Sequence, residues 1–158
     1  MHCAPCTRLS GVYLKIFLVH HADAVGPDVD SQRPLSSLGR QQAEALATKL
    51  GAAGCVPAAI WHSGKLRARE TAEAMMRGCS PFAEFKMVRG LRPDDPPELM
   101  RDVLKAETRD VMLVGHMPSL PAIAAALSPD AKQFPLHGAL TLERSEGGAF
   151  SVVSRLSP

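Results

Sequence analysis

Leu14-Lys15-Ile16-Phe17-Leu18-Val19, running straight into His20-His21, is the most strand-like stretch of the chain. It is apolar, rich in branched side chains and too short for a helix, so it reads as a buried strand. A polar loop from Asp23 to Pro34 follows. Ser36 or Ser37 can cap the next segment, where Ala43, Leu46, Ala47, Leu50 and Ala53 recur at helical spacing before Gly54 supplies a stop. Ala58 to His62 reads as a second strand. Lys65 to Arg77 reads as a second helix, with Ala68, Ala72, Met75 and Met76 inward and Gly78 at its end. Phe85 to Val88 is a weaker third strand, and the Pro-rich segment Arg92 to Pro97 leads into a helix with Leu99, Val103 and Leu104 along one side. Val111 to Val114 is a fourth strand. Gly115-His116-Met117-Pro118 then opens a helix carrying the stripe Leu120, Ile123, Ala124 and Leu127, and Pro129 follows its end. Two last apolar runs, His137 to Glu143 and Ala149 to Val153, flank Glu146-Gly147-Gly148 and read as a β-hairpin. Strands alternating with helices imply an α/β fold of three layers: a mostly parallel sheet, helices on both faces and a C-terminal hairpin.

The 158 residues suit one domain, expected over 14–158 with an N-terminal extension at 1–13. Hydrophobic residues make up 46% and charged residues 22%, which excludes a disordered or fibrous chain. The net charge of +2 is too small for bulk attraction to nucleic acid or membranes, so any anion site must be local. No apolar run approaches the roughly 18 to 20 residues of a membrane span. With no secretory pattern at the start, a cytoplasmic location is expected. Cys3, Cys6 and His2 could hold zinc, though a frayed extension is the simpler reading; Cys55 and Cys79 show no disulfide spacing.

Parallel sheets bind ligands beyond the carboxyl ends of their strands. Four of the six histidines fall there: His20 and His21 after the first strand, His62 after the second, His116 after the fourth. A shared cleft explains that placement more economically than four separate partly buried rings. For His20 and His21 to enter one pocket, the backbone must turn out of the strand at Ala22-Asp23. Cations gather nearby: Arg33, Lys65, Arg67 and Arg69. Arg67 and Thr71, four apart, share a face of the second helix near its N-terminus, which favours an anion such as phosphate. Arg69 points elsewhere on that helix, and Lys65 could be pocket rim or surface. One neutral histidine with two or three cations suffices for phosphoryl transfer without a metal or other cofactor. A metal site from His20, His21, His62, His116 and Asp23 is a further reading, though adjacent histidines are awkward co-ligands. His62 can equally line the pocket or merely end its strand; His137 reads as structural.

Taken together, His20-His21-Ala22, Arg33-Pro34-Leu35-Ser36 with Gly39, the S-x-x-x-R-A-x-x-T run from Ser63 to Thr71, and Gly115-His116-Met117-Pro118 resemble the histidine phosphatase superfamily, and within it the SixA-type phosphohistidine phosphatases. The likeness covers most of Leu14 to Leu156 and implies a phosphoglycerate-mutase-like fold. It implies that His21 is the nucleophile, that Arg67 binds phosphate, that His116 contacts its oxygens, and that His20 and Arg33 assist binding. The implied substrate is phosphohistidine on a protein, or a small phosphate compound. Two departures stand out. The family's Arg-His-Gly motif reads His20-His21-Ala22, so a protonated His20 would have to replace a permanent charge, and should do so best in mild acid. The acidic residue common after the third strand is missing from Arg89-Gly90-Leu91-Arg92, where Asp94 and Asp95 are the nearest carboxylates and Asp94 reads as a turn residue. The alternative function is a catalytically weakened module of the same fold that binds phosphate or a phosphoprotein.

Overall fold

A computed structural model describes residues 13–158. The Cys3, Cys6 and His2 zinc reading therefore lies outside the described residues. Ten elements follow in order: β1 (Leu14–His20), α1 (Ser37–Ala52), β2 (Ala59–His62), α2 (Leu66–Cys79), β3 (Glu84–Met87), α3 (Pro97–Ala106), β4 (Val111–Gly115), α4 (Ser119–Leu127), β5 (Ala139–Arg144) and β6 (Phe150–Leu156). They build one six-stranded sheet in the order β3-β2-β4-β1-β5-β6. β3, β2, β4 and β1 are mutually parallel, while β5 runs antiparallel to β1 and β6 antiparallel to β5.

The alternation of β1 sorts its side chains into two cores. Ile16 and Leu18 join Leu113 and Leu140 under Leu104 of α3 and Leu120 and Ile123 of α4. Phe17 and Val19 join Ile60 and Met112 on the other face, under Leu46 and Leu50 of α1 and Met75 of α2. Both faces of β1 are thus dry from Ile16 to Val19, which is why the sequence there is continuously apolar rather than alternating. Cys55 and Cys79 are buried as free thiols on the α1/α2 side.

Two expectations change. On α3 the inward residues are Met100 and Leu104, whereas Leu99 and Val103 are 55% and 45% exposed. The expected stripe was drawn about a quarter turn off, because Leu99 and Met100 are both apolar and periodicity alone cannot choose between adjacent faces. α2 also runs through Gly78 to Cys79 rather than stopping there. A Cβ at Gly78 would press on Ala47 of α1, so this glycine serves close helix packing rather than termination. Among the described residues no helix is long and apolar enough to cross a membrane.

Candidate active site

β1 and β4 lie side by side, so their carboxyl ends deliver His20, His21 and His116 to one edge of the sheet. The turn required after β1 is visible in its hydrogen bonds. The His20 N–H donates to Gly138 O on the β5 side (2.9 Å), and the His21 N–H to Gly115 O at the end of β4 (3.1 Å). The Ala22 N–H then donates to Thr71 Oγ1 of α2 (3.1 Å), and the Asp23 N–H to Gln42 Oε1 of α1 (2.9 Å). Successive donors thus face different elements, and the chain leaves the sheet. Thr71, expected to face an anion with Arg67, is instead fully buried; its hydroxyl donates to Arg67 O (2.8 Å) while holding the loop.

Beneath the loop, Ala22 packs with Leu35, Ala43 and Ala74 in a small core of its own. Ser36 caps α1 by accepting the Gly39 N–H (2.9 Å) and donates to the Asp23 carboxylate. A Cβ at Gly39 would collide with the Asp23 carbonyl oxygen, so only glycine lets α1 approach this closely.

The rings converge. His20 and His21 have centroids 4.5 Å apart, and His21 and His116 4.9 Å apart. His137, expected to be structural only, joins them: it stacks on His20 at 4.9 Å with a 7° interplanar angle. Its entry was hidden in the sequence because His137 precedes β5, and only the β1/β5 register carries it to the site.

Hydrogen-bond partners fix three tautomers, because a backbone N–H can only donate and a carbonyl only accept. His21 Nδ1 faces Ala22 O at 2.7 Å, so it carries the proton and the lone pair sits on Nε2. Arg67 Nε–H lies 3.3 Å from that Nε2. His137 Nδ1 donates to His21 O (2.8 Å), leaving the lone pair on its own Nε2. His20 is the reverse: its Nδ1 accepts the His137 N–H (2.9 Å), so its proton is on Nε2. His116 Nε2 pairs with Ser63 Oγ at 2.7 Å, while its Nδ1 is buried without a hydrogen-bond partner.

Burial sets the charge. It pushes His21 down to about 4, against a weaker upward pull from Ala22 O, with Arg67 among the other downward causes. Burial and neighbouring His21 push His20 and His116 each down to about 3. The protonated His20 expected from the sequence is therefore neutral in the free protein, a single N–H donor rather than a cation. A depressed folded pKa means the unfolded chain binds more protons between about pH 6.5 and 4, so these rings destabilise the fold in acid. Urea unfolding should show stability level above pH 6.5 and lower at pH 4 by on the order of 3 kcal/mol for each of these rings. A flat profile there would contradict the buried neutral rings.

The remaining candidates sort cleanly. Arg33, at φ 51°, donates from Nε to Val25 O (3.0 Å) and is close enough to depress both His21 and Arg67. Arg69 is exposed and paired with Glu73. His62 accepts the Gly64 N–H (3.1 Å) and packs on Phe85, which makes it a turn and core residue. Asp95 accepts the N–H groups of Gly90 and Arg92, and Asp94 is exposed. Among the described residues, one ring nitrogen each of His20, His21 and His137 lie within 4.8 Å of one another, the grouping that could hold a metal ion. With Nδ1 of His20 accepting a backbone N–H, its proton sits on Nε2, so His20 could offer a cation a lone pair only by giving up that hydrogen bond.

Residues 18–92 match the model of the histidine phosphatase superfamily (branch 1). No curated protein sequence matches the chain. Solved structures share the fold. The protein histidine phosphatase SixA complexed with tungstate is 23% identical, with a TM-score of 0.83 over 92% of this chain and 97% of that one. SixA from Agrobacterium tumefaciens is 24% identical, at 0.76 over 92% and 98%. Phosphoglycerate mutase from Plasmodium falciparum is 15% identical, at 0.72 over 90% and 89%. The match over residues 18–92 covers just under half of the chain, and the sheet topology is the one these solved structures share, so the chain is similar to the histidine phosphatase superfamily in its N-terminal sequence and in its fold.

Proposed function

We propose that the protein is a metal-independent phosphatase in which His21 is transiently phosphorylated, acting on phosphohistidine carried by a protein. The observation that carries this reading is the orientation of His21: Nδ1 is tied to Ala22 O, and the Nε2 lone pair faces the Arg67 guanidinium. A ring kept neutral by burial is a competent nucleophile at neutral pH. Its Nε2 forms the N–P bond as the bond to the leaving group breaks, and water then cleaves N–P to release inorganic phosphate.

Phosphoryl transfer needs little covalent help from the protein, so the surrounding donors supply most of the catalysis. Arg67 offers a permanent charge, and His20 Nε2–H a neutral donor. Ser63 Oγ accepts the Lys65 N–H (3.3 Å), and with its own hydrogen directed at His116 Nε2 it leaves the His116 proton on Nδ1, for a phosphoryl oxygen. Support for a protein substrate comes from a groove of about 450 Å³ lined by Gln32, Lys65, Arg67 and Arg69, whose charge complements a phosphorylated segment. The SixA of known structure is by name a protein histidine phosphatase; small phosphate compounds are the alternative substrates. The test is phosphate release from a histidine-phosphorylated protein and from phosphoglycerate. Faster release from the protein, with acid-labile phosphate trapped on the enzyme, is expected; release from phosphoglycerate alone would overturn the substrate.

A second reading, a phosphate-binding module without turnover, draws on the neutral His20. Stoichiometric phosphate binding by calorimetry with no release from any phosphorylated substrate would favour it. His20→Arg separates charge from architecture. Arginine cannot accept the His137 N–H, so the variant should lose about 1–3 kcal/mol of unfolding free energy. It should also bind phosphate about tenfold tighter, with less dependence on pH, because a charge-assisted bond replaces a neutral one. Weaker binding in a folded variant would show that His20 does more than stand in for arginine.

A further inference from the structure

We infer that His137 is the general acid and base of the site, giving a proton to the leaving group and then taking one from water. The inference rests on the phosphatase reading. It starts from a shortage of proton carriers. Among the carboxylates nearest the site in the sequence, Asp23 is engaged by Ser36, Glu70 accepts the Leu35 N–H (2.6 Å), and Asp95 holds two backbone N–H groups of its turn. The histidines must therefore move the protons, and they are not equivalent.

His21 is committed to phosphorus. His20 can gain a proton only on Nδ1, which would break its bond from the His137 N–H and strand a backbone donor. His116 is 1% exposed, and a second proton on its Nε2 would displace the hydrogen bond from Ser63 Oγ. His137 differs on both counts. It is half-buried, and its Nδ1–H donates to His21 O in either protonation state, so Nε2 can load and unload a proton with no hydrogen bond lost. One of its ring nitrogens lies within 4.8 Å of one on His20 and one on His21, and its centroid is 6.2 Å from that of His21. The charged or titratable groups around His137 and His21 are His20 at the end of β1, His116 after β4, Arg67 on α2 and Arg33 in the loop.

The steps balance. Turnover begins with a proton loaded from water onto the Nε2 lone pair of His137; as His21 Nε2 bonds to phosphorus, the leaving atom takes the P–X electron pair and that proton. Water then gives a proton back to that nitrogen while its oxygen attacks phosphorus, and the N–P pair returns to His21. His137 sits at φ 54°, a backbone conformation glycine adopts freely, so His137→Gly removes the ring, keeps the N–H that anchors His20 and opens room for a small base.

The experiment compares kcat/KM of this variant for phenyl phosphate, a poor leaving group, and 2,4-dinitrophenyl phosphate, a good one, with and without added imidazole. Phenyl phosphate should lose about 100-fold or more, the size typical of a missing proton donor. The loss on the dinitrophenyl ester should be at least about tenfold smaller, and imidazole should restore phenyl phosphate turnover saturably. Equal losses on both esters without rescue, or no loss, would overturn the role. A wild-type protein with neither turnover nor trapped phosphoenzyme would instead sink the phosphatase reading, and this inference with it.

Discussion

His21→Asn is expected to cut turnover of any phosphorylated substrate by about 10,000-fold or more and to eliminate the acid-labile phosphoenzyme, since no other group can take over the bond to phosphorus. Asparagine can still donate toward Ala22 O, but its amide nitrogen has no lone pair available to attack. The fold should survive, because His21 is only half-buried and the backbone bond from its N–H to Gly115 O does not depend on the side chain. Tungstate or phosphate should still bind through Arg67 and His116, which separates lost chemistry from lost binding. Rapid-quench labelling with radioactive phosphate is the decisive measurement. A labelled protein in the variant, or undiminished release, would remove the nucleophile assignment.

Arg67→Ala should lower kcat/KM by about 100- to 1,000-fold, the effect of deleting one well-placed donor from a preorganised oxyanion site. A second consequence separates this from simple misfolding. Arg67 is among the groups that hold His21 down to about 4, so its removal should raise the His21 pKa. The nucleophile is active only when unprotonated, and the acid limb of the kcat/KM profile should therefore move to higher pH. Arg67→Lys should keep the charge, shift the limb less and recover only part of the rate, because lysine lacks the planar fork that meets two phosphoryl oxygens. An unmoved acid limb in a folded Arg67→Ala protein would mean that the guanidinium does not face the nucleophile.

Much of this was readable from residue order. Continuous apolar runs at Ile16–Val19 and Val111–Val114 announce strands buried on both faces, and a strand that ends in histidine places it at the edge where parallel sheets bind ligands. Hence the strand ends alone gather His20, His21 and His116. α3 shows where such reading stops: Leu99, Met100, Val103 and Leu104 are all apolar, and only packing against α4 selects Met100 and Leu104. The charge on His20 stops it differently. Whether an imidazole is a cation or a neutral donor depends on the partner of one ring nitrogen, and that partner, the N–H of residue 137, lies 117 positions away.

The order of the residues thus settled the layered sheet and the placement of a histidine pair and an arginine at one edge of it, because these follow from local patterns of burial and spacing. The tertiary structure alone decided which imidazole nitrogens donate, which accept and which are left without a backbone partner. Those properties arise from hydrogen bonds between segments that meet only when β5 pairs with β1, and no local pattern encodes them.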